Sequence, residues 1–203
     1  MTYDVEKVHP YETGTSKKEQ VEAMFNEIAP NYDKLNGLLS LGIDDYWRKE
    51  SIKALKPYRP EYILDIATGT GDFAILAKKI LQPRRIIGID ISEGMMAVGR
   101  DKVKRKGLER VITFERQDSS ALFFPDQSFD VVTAAFGIRN FENIDKSFGE
   151  VLRVLKPGGV FLFIELTTPE ATPMKELYSL YTKNVMPVLS NTMATEQRAY
   201  EYL

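Results

Sequence analysis

A glycine-rich loop flanked by carboxylates is the part of this sequence best suited to bind a ligand. Gly69 and Gly71 lie in the stretch Asp65–Asp72, where glycine allows a tight turn and a close approach of the ligand to the main chain. An apolar run precedes this stretch and a helical pattern follows it, so N–H groups at the start of the helix would face the ligand. In nucleotide-binding α/β proteins an acidic residue about 20 positions further on binds ribose. Asp90, which stands 19 positions after Gly71, fits that role.

The charges beside the glycines favour one type of cofactor. A dinucleotide site reads G-x-G-x-x-G and presents a helix N-terminus to a pyrophosphate, whereas this loop has Ala74 at the third glycine position. The carboxylates of Asp65 and Asp72 would repel a pyrophosphate but would attract a cation. S-adenosylmethionine is a nucleoside that carries an ammonium and a sulfonium group, so the loop suits it better. An ordinary strand-to-helix turn with Asp72 as its N-cap is the alternative.

Further cofactor contacts are expected at the ends of neighbouring strands. Asp118 follows the third predicted strand and could accept a hydrogen bond from the adenine amino group; a solvated strand-end carboxylate is the alternative. No metal site is expected, because the chain has no cysteine and a single histidine, His9. The predicted cofactor contacts are Asp65, Ala67, Gly69, Thr70, Gly71, Asp90, Ile91, Asp118, Ser119 and Ala135.

Apolar runs that alternate with helical patterns must position these residues. Strands in such an alternation are joined by right-handed crossovers into a parallel sheet with helices on both faces. Nearly all-apolar strands are typical of sheets that are covered on both faces. The sequence therefore predicts an α/β fold with a doubly wound, mostly parallel sheet. The predicted strands are 62–66, 85–90, 111–116, 129–135 and 160–166, and the helices between them are 73–81, one from Ser92, and 145–155.

The first 60 residues predict helices rather than strands. Ser16 and Glu19 match a capping box at the start of a helix, and apolar residues then recur with helical spacing. A later helix, from about residue 45 to 55, is expected to point Trp47 and Ile52 inward. We therefore expect residues 1–60 to form a helical lid and substrate-binding segment and residues 61–203 to form the cofactor-binding part of a single structural domain.

Composition excludes several classes of function. The net charge of −2 offers no basic excess for nucleic acid. The absence of cysteine excludes disulfides and thiolate nucleophiles. The single histidine argues strongly against a Ser-His-Asp triad. The N-terminus is polar, and the longest apolar run, residues 160–164, is far shorter than the roughly 20 residues that span a bilayer. We expect a cytoplasmic protein whose contact with the inner face of the membrane, where it occurs, is peripheral.

Longer motifs resemble a known family. The glycine loop, together with the stretches 88–90, 129–132 and 155–159, resembles class I S-adenosylmethionine-dependent methyltransferases. Within that class, residues 32–42 with Trp47 and Arg48, residues 135–140 and residues 153–165 resemble the ubiquinone/menaquinone biosynthesis C-methyltransferases. The resemblance covers about residues 17–203. The chain departs from it at Asp44, where members often carry histidine, and at Ala135, where many carry serine.

This resemblance implies methylation of a ring carbon in a polyprenylated quinol. The first candidate is demethylmenaquinol, and the alternatives are the methoxy-benzoquinol of ubiquinone synthesis, another small molecule, or a non-catalytic scaffold. Arg139 would stabilise the developing phenolate, Asn140 would hold a quinol oxygen or a bridging water, and Tyr32 would act from the lid. The structural alternatives are an ion pair of Arg139 with Asp145 or Glu142, and core packing of Tyr32.

The resemblance also implies two more strands than the chain shows. Members have seven strands, with the last two beside the fifth, whereas only five are predicted here, followed by a helix over residues 172–188. We therefore expect the C-terminal strand pair to be missing and the fifth strand to lie at the sheet edge. Because an edge strand has unpaired backbone groups, we expect the chain to self-associate through residues 160–166, for example as a homodimer, or to swap its C-terminal helix there.

Overall fold

Five parallel strands form one sheet in the computed structural model, which describes residues 3–11, 14–40, 42–167, 171–180, 199 and 202. The strand order is β3-β2-β1-β4-β5, so the chain starts in the middle of the sheet and winds outward in both directions. All four neighbouring pairs are parallel, which confirms the predicted doubly wound α/β fold. The strands are β1 Tyr62–Ile66, β2 Arg85–Asp90, β3 Ile112–Arg116, β4 Phe129–Ala135 and β5 Leu155–Ile164.

Helices cover both faces of this sheet. One face packs against three helices through a core that includes Ile52, Ala77 and Val103. The opposite face packs against a fourth helix through Val151 and Val154. Both cores are apolar and fully buried, as the all-apolar strands predict. The helices are α1 Lys17–Ile28, α2 Tyr32–Ser40, α3 Ile43–Ala54, α4 Asp72–Leu81, α5 Glu93–Arg105, α6 Ile144–Val154 and α7 Met174–Leu180.

The N-terminal helices α1 to α3 precede the sheet, as expected. The capping box is present, because the Ser16 hydroxyl accepts from the Glu19 N–H while the Glu19 carboxylate accepts from the Ser16 N–H. Ile52 is fully buried, but the prediction for Trp47 is wrong, since 43% of its surface is exposed. The two residues are five positions apart, and at 3.6 residues per turn this spacing turns their side chains to different faces of α3.

The fifth strand begins earlier than predicted. The residues 156–159 were expected to form a turn before a strand at Val160, but β5 starts at Leu155 and includes them. Leu155 pairs with Phe129 and Val160 with Val131, so the extra residues of β5 form an irregular bulge opposite β4. Gly158, at φ +78°, accommodates the bend that this bulge requires.

The C-terminal part of the described chain is helical. β5 lies at the edge of the described sheet, and the described residues after it form α7 and no further strand. The part of the predicted helix that follows Leu180 lies outside the described residues. Among the helices that the structure describes, none is long and apolar enough to cross a membrane.

Candidate active site

The glycine loop leaves β1 in a tight, left-handed turn. Ala67, Gly69 and Gly71 have φ values of +52°, +55° and +77°, in the region that glycine occupies without strain. A Cβ atom on Gly71 would lie 2.7 Å from the ring of Phe114, so a larger residue could not fit there without displacing the ring. Both the turn and the close packing therefore explain why glycine is needed at position 71.

Asp90, at the end of β2, fixes the position of the loop. One carboxylate oxygen accepts from the N–H of Gly69 at 2.8 Å, and the other accepts from the N–H of Ser92 at 2.9 Å. Burial raises the pKa of Asp90, and the backbone hydrogen bonds oppose that effect. Each carboxylate oxygen can accept more than one hydrogen bond, so Asp90 keeps acceptor capacity for ribose hydroxyls.

An open cleft lies over the carboxyl ends of the strands, where parallel α/β sheets bind ligands. The cleft contains about 850 Å³ of empty space and is partly open to solvent. A smaller cavity beside the glycine loop contains about 330 Å³. Asp65 and Thr70 line the smaller cavity instead of the cleft, and Gly71 lines neither. The predicted cofactor contacts that line the cleft are Ala67, Gly69, Asp90, Ile91, Asp118, Ser119 and Ala135.

Helix α1 contributes polar residues to the cleft that sequence reasoning did not single out. The ammonium of Lys18 lies 2.7 Å from the carboxylate of Asp118, which also accepts from Ser120. Partial burial raises the pKa of Asp118, but these hydrogen bonds outweigh it, so the pKa is lowered and the carboxylate stays charged. Asn26 accepts from the Ser92 hydroxyl and from the Gly94 N–H. These contacts attach α1 to the start of α5 and to the cleft.

Two of the three predicted catalytic residues line the cleft. Tyr32 lies against it and packs edge-on against Phe25, with ring centroids 6.0 Å apart. Burial raises the pKa of Tyr32, so its hydroxyl is protonated at neutral pH. Asn140 also lines the cleft, and its buried Oδ1 finds no hydrogen-bond partner within the described part of the chain. An unsatisfied buried acceptor is unfavourable, so this oxygen is suited to accept from a ligand.

Arg139 lies beside the cleft but is not part of its lining. Its Nη1 and its backbone N–H both donate to Glu165, the residue that follows β5. Its Nε is buried and has no partner among the described residues. Lys17, itself buried, donates at 2.8 Å to the carbonyl oxygen of Arg139. Sequence reasoning left Glu165 unassigned, and the structure shows it as the ion-pair partner of Arg139.

A network of charged side chains ties α2 to the glycine loop. The Thr70 hydroxyl donates to Asp33 at 2.6 Å, and the Lys102 ammonium donates to Asp33 at 2.8 Å. The same ammonium contacts Asp72 at the start of α4. Thus Lys102, on α5, neutralises two carboxylates that belong to different elements. The sequence gives no sign of this role, because Asp33 and Asp72 lie 69 and 30 positions away from Lys102.

Comparison with known proteins identifies the family. Residues 13–203 match the model of the ubiE/COQ5 methyltransferase family. The chain belongs to this family. It is 55% identical over all 203 residues to a demethylmenaquinone methyltransferase of Bacteroides fragilis, of which it covers 83%. It is 44% identical, over 93% of its own length and 74% of the relative, to a ubiquinone/menaquinone biosynthesis C-methyltransferase of Geobacter sulfurreducens.

Solved structures agree with the family's fold. The YcgJ protein of Bacillus subtilis is 27% identical, with a TM-score of 0.54 over 71% of this chain and 65% of that one. A methyltransferase from Aquifex aeolicus that depends on S-adenosylmethionine is similar in fold, with a TM-score of 0.53 over 70% of this chain and 77% of that one. As a member of the ubiE/COQ5 methyltransferase family, the chain is a methyltransferase with S-adenosylmethionine as its cofactor, and the solved structures agree with a class I fold.

The residues of the site fit this cofactor. The cleft offers carboxylate acceptors at Asp90 and Asp118 for a nucleoside, and an unsatisfied amide oxygen at Asn140. Behind the loop, Asp65 is fully buried and accepts from the hydroxyls of Thr68 and Thr133 at 2.6 Å each. Burial raises the pKa of Asp65 to about 6, an effect that these hydrogen bonds partly oppose. A cationic group nearby would stabilise its charged form.

Proposed function

We propose that this chain methylates a ring carbon of demethylmenaquinol to form menaquinol. The observation that supports the proposal most strongly is the 55% identity, over the whole chain, to a relative named for that reaction. A second relative is named for ubiquinone as well as menaquinone, so the corresponding methoxy-benzoquinol is the second candidate. A non-catalytic scaffold is disfavoured, because it would need neither the glycine loop nor the acceptors of the cleft.

The bound cofactor supplies an electrophilic methyl group, and the chain positions the quinol carbon and stabilises its charge. Loss of a phenolic proton makes the adjacent ring carbon nucleophilic, and alignment of two reactants can contribute several kcal/mol. We assign Asn140 to hold a quinol oxygen or a bridging water, because its Oδ1 lines the cleft without a partner among the described residues. We assign Tyr32, which also lines the cleft, to donate from its protonated hydroxyl to a quinol oxygen.

We assign Arg139 to stabilise the developing phenolate. A guanidinium stays protonated in proteins, so Arg139 acts by charge and hydrogen bonding and not as a base. Glu165 holds Nη1 of Arg139, and this ion pair fixes the side chain while leaving the buried Nε available. A preorganised donor of this kind is most effective where charge appears during the reaction.

We also propose where the enzyme meets its substrate. Residues 1–60 act as a lid and substrate-binding segment over the cofactor-binding residues 61–203. Because a polyprenylated quinol resides in lipid, the enzyme works in the cytoplasm with peripheral contact to the inner face of the membrane. We further propose that the enzyme forms a homodimer through the outer edge of β5, where Phe163 is 55% exposed.

A side-by-side assay distinguishes the two substrates. The enzyme is given cofactor with a labelled methyl group and either demethylmenaquinol or the methoxy-benzoquinol, each with the same prenyl tail. We expect label to enter the demethylmenaquinol with a kcat/KM at least about tenfold higher. A preference for the benzoquinol would overturn the proposed substrate, and transfer to neither would favour a different acceptor or a scaffold.

A further inference from the structure

Arg48, on α3, is a buried cation with spare hydrogen-bond donors. Only 11% of its side chain is exposed, and its Nε has no partner within the described residues. Nη2 lies 3.4 Å from the carboxylate of Asp44, which is longer than the roughly 2.7–2.9 Å of a charge-assisted hydrogen bond. The other oxygen of Asp44 accepts from the Ser40 hydroxyl. Because a guanidinium has five N–H donors, Arg48 can still bind an anion.

The position of Arg48 is set by its ring contact. Its Cζ atom lies 5.2 Å from the centroid of the Phe136 ring, a distance at which a guanidinium is attracted to the face of an aromatic ring. Phe136 lines the cofactor cleft and follows β4. The contact therefore holds the guanidinium of a lid helix against the sheet.

Arg48 faces the smaller cavity beside the glycine loop. This cavity shares a wall with the cofactor cleft, formed by Tyr32, Ala67, Gly69 and Ala135. A ligand that lies in the cleft is therefore next to the cavity and to Arg48. The residues that line the smaller cavity but not the cleft include Arg48, Asp65, Thr70 and Asp72.

The charges of this cavity match a zwitterion. Asp72 is already paired with Lys102, whereas Asp65 accepts hydrogen bonds only from hydroxyl groups among the described residues. Burial raises the pKa of Asp65 and outweighs the nearby charge of Arg48, which lowers it. Asp65 can accept an ammonium group, and Arg48 can bind a carboxylate. S-adenosylmethionine ends in an amino acid that carries both groups, while Asp90 and Asp118 in the cleft suit its nucleoside end.

We propose that Arg48 is a cofactor-binding residue whose guanidinium binds the carboxylate at the methionine end of S-adenosylmethionine. Arginine suits this role because its planar fork matches a carboxylate with two parallel hydrogen bonds. The inference rests on the cofactor and not on the quinol, so it can fail or succeed independently of the proposed substrate. An anionic oxygen of the substrate is the competing occupant.

Calorimetry with two cofactor forms tests the proposal. Decarboxylated S-adenosylmethionine keeps the nucleoside, the sulfonium and the ammonium but lacks the carboxylate. We expect the unsubstituted enzyme to bind the complete cofactor about 10- to 100-fold more tightly than the decarboxylated form, the range expected for a buried charge-assisted pair. Arg48→Met should remove that preference and leave affinity for the decarboxylated form within about threefold.

Two further variants serve as controls. Arg84→Met removes an exposed arginine whose partner is Glu61, before β2 and away from the cleft, and should leave both affinities unchanged. Arg48→Lys keeps the charge but loses the fork, so it should restore only part of the preference; it also supplies the test if Arg48→Met does not fold.

Three results would overturn the proposal. Equal binding of the two cofactor forms by the unsubstituted enzyme would show that the carboxylate has no dedicated partner. An equal loss of affinity for both forms in Arg48→Met would show a general effect on the cleft. Unchanged cofactor binding with a lower kcat would assign Arg48 to the substrate.

Discussion

Arg139 and Asn140 follow β4 side by side, but the structure gives them different surroundings. Asn140 lines the cleft with an Oδ1 that has no partner among the residues described, whereas Arg139 is held by Glu165, just after β5, and by Lys17 from α1. The carbonyl of Arg139 is thus fixed by one element and its guanidinium by another. Side-chain truncation at Arg139 therefore removes the charge while the Lys17 contact, which involves only the backbone, can persist.

For Arg139→Ala we expect a loss of turnover with little loss of cofactor binding. Removing one preorganised donor to a developing anion lowers kcat by on the order of 10²–10³ in well-studied enzymes. The measurement is kcat from methyl transfer, together with the cofactor Kd from calorimetry, with Arg84→Ala as the exposed control. A kcat within about threefold of the original, accompanied by weaker cofactor binding, would place Arg139 in the cofactor site.

Asp65 should make the stability of the protein depend on pH. Burial raises its pKa from 3.8 to about 6, so its contribution to stability is fully present below about pH 4 and is lost as pH rises through 6. Asp65→Asn has no such ionisation. The free energy of unfolding of the variant, relative to the original, should therefore rise by on the order of 2 kcal/mol between about pH 4 and pH 7.

Urea unfolding across this pH range measures the effect, and Asp130→Asn provides the control. Burial raises the pKa of Asp130, but the Lys156 ammonium and two backbone N–H groups outweigh it, so the pKa is lowered. The contribution of Asp130 to stability is lost only as pH falls below about 4, so the stability difference of Asp130→Asn should change little between about pH 4 and pH 7. A pH-independent difference for Asp65→Asn would contradict the assigned environment of Asp65.

Residue types near the glycine loop were predictable from sequence, but their exact partners were not. The loop, Asp90 and Asp118 were found because strand ends in a parallel sheet converge at one edge. Lys102 was not singled out and Arg48 was noted only as part of a family motif, because the partners of both side chains lie far away in the sequence. Asp65 was predicted as a cofactor contact, and in the structure it lines the smaller cavity that adjoins the cleft.

At the scale of elements, α1 and α2 differ in how firmly they are attached. Helix α1 is bound to α5 through Asn26, to Asp118 through Lys18, and to the strand end of β3 by the Glu22–Arg116 ion pair. Among the described side chains, α2 is attached to the glycine loop and to α5 by the network centred on Asp33, and to α1 and α3 by the Tyr32–Phe25 and Ser40–Asp44 contacts. Opening of the proposed lid at α2 would break the contacts of Asp33 with Thr70 and Lys102, and we expect α2 to move more than α1.

Hydrogen exchange tests which lid helix moves. Amide exchange in residues 32–40 should slow when cofactor and a quinol analogue are both added, while residues 76–81 of α4 should not change. Asp33→Asn should speed exchange in residues 32–40 without ligand, because it weakens the contacts to Lys102 and Thr70. Identical exchange with and without ligands, in both proteins, would rule out closure of α2.

Helix starts and strand identities could be read from sequence because they depend on local chemistry. The Ser16 capping box and the apolar strands are examples. The burial of Trp47 was predicted wrongly, because Trp47 and Ile52 are five positions apart and cannot share one face of α3. The early start of β5 was missed because Pro157 and the following glycines predict a turn, and only pairing with β4 extends the strand through them.

At the scale of the whole molecule, the edge of the sheet is the surface through which we propose that two copies of the chain associate. The outer edge of β5 is unpaired within the described sheet, and Phe163 and Leu166 are 55% and 49% exposed. Unpaired strand edges with apolar side chains promote pairing with another chain. This is the physical basis of the homodimer that we propose.

Multi-angle light scattering tests the dimer. We expect a mass twice that of the chain at concentrations of tens of micromolar, and a shift toward monomer for Phe163→Lys, which places a charge on the edge. Phe123→Lys, at an 82% exposed position away from β5, is the control and should remain dimeric. A stable monomer at high concentration would contradict pairing through β5.

The position of the transferred methyl group tests the central claim most directly. The enzyme is incubated with demethylmenaquinol and cofactor that carries a ¹³C-labelled methyl group, and the product is examined by NMR. We predict a single labelled methyl group bonded to the quinol ring carbon, and no such product with Arg139→Ala over the same time. A labelled methoxy group, or no labelled quinol at all from the unsubstituted enzyme, would contradict C-methylation of this substrate.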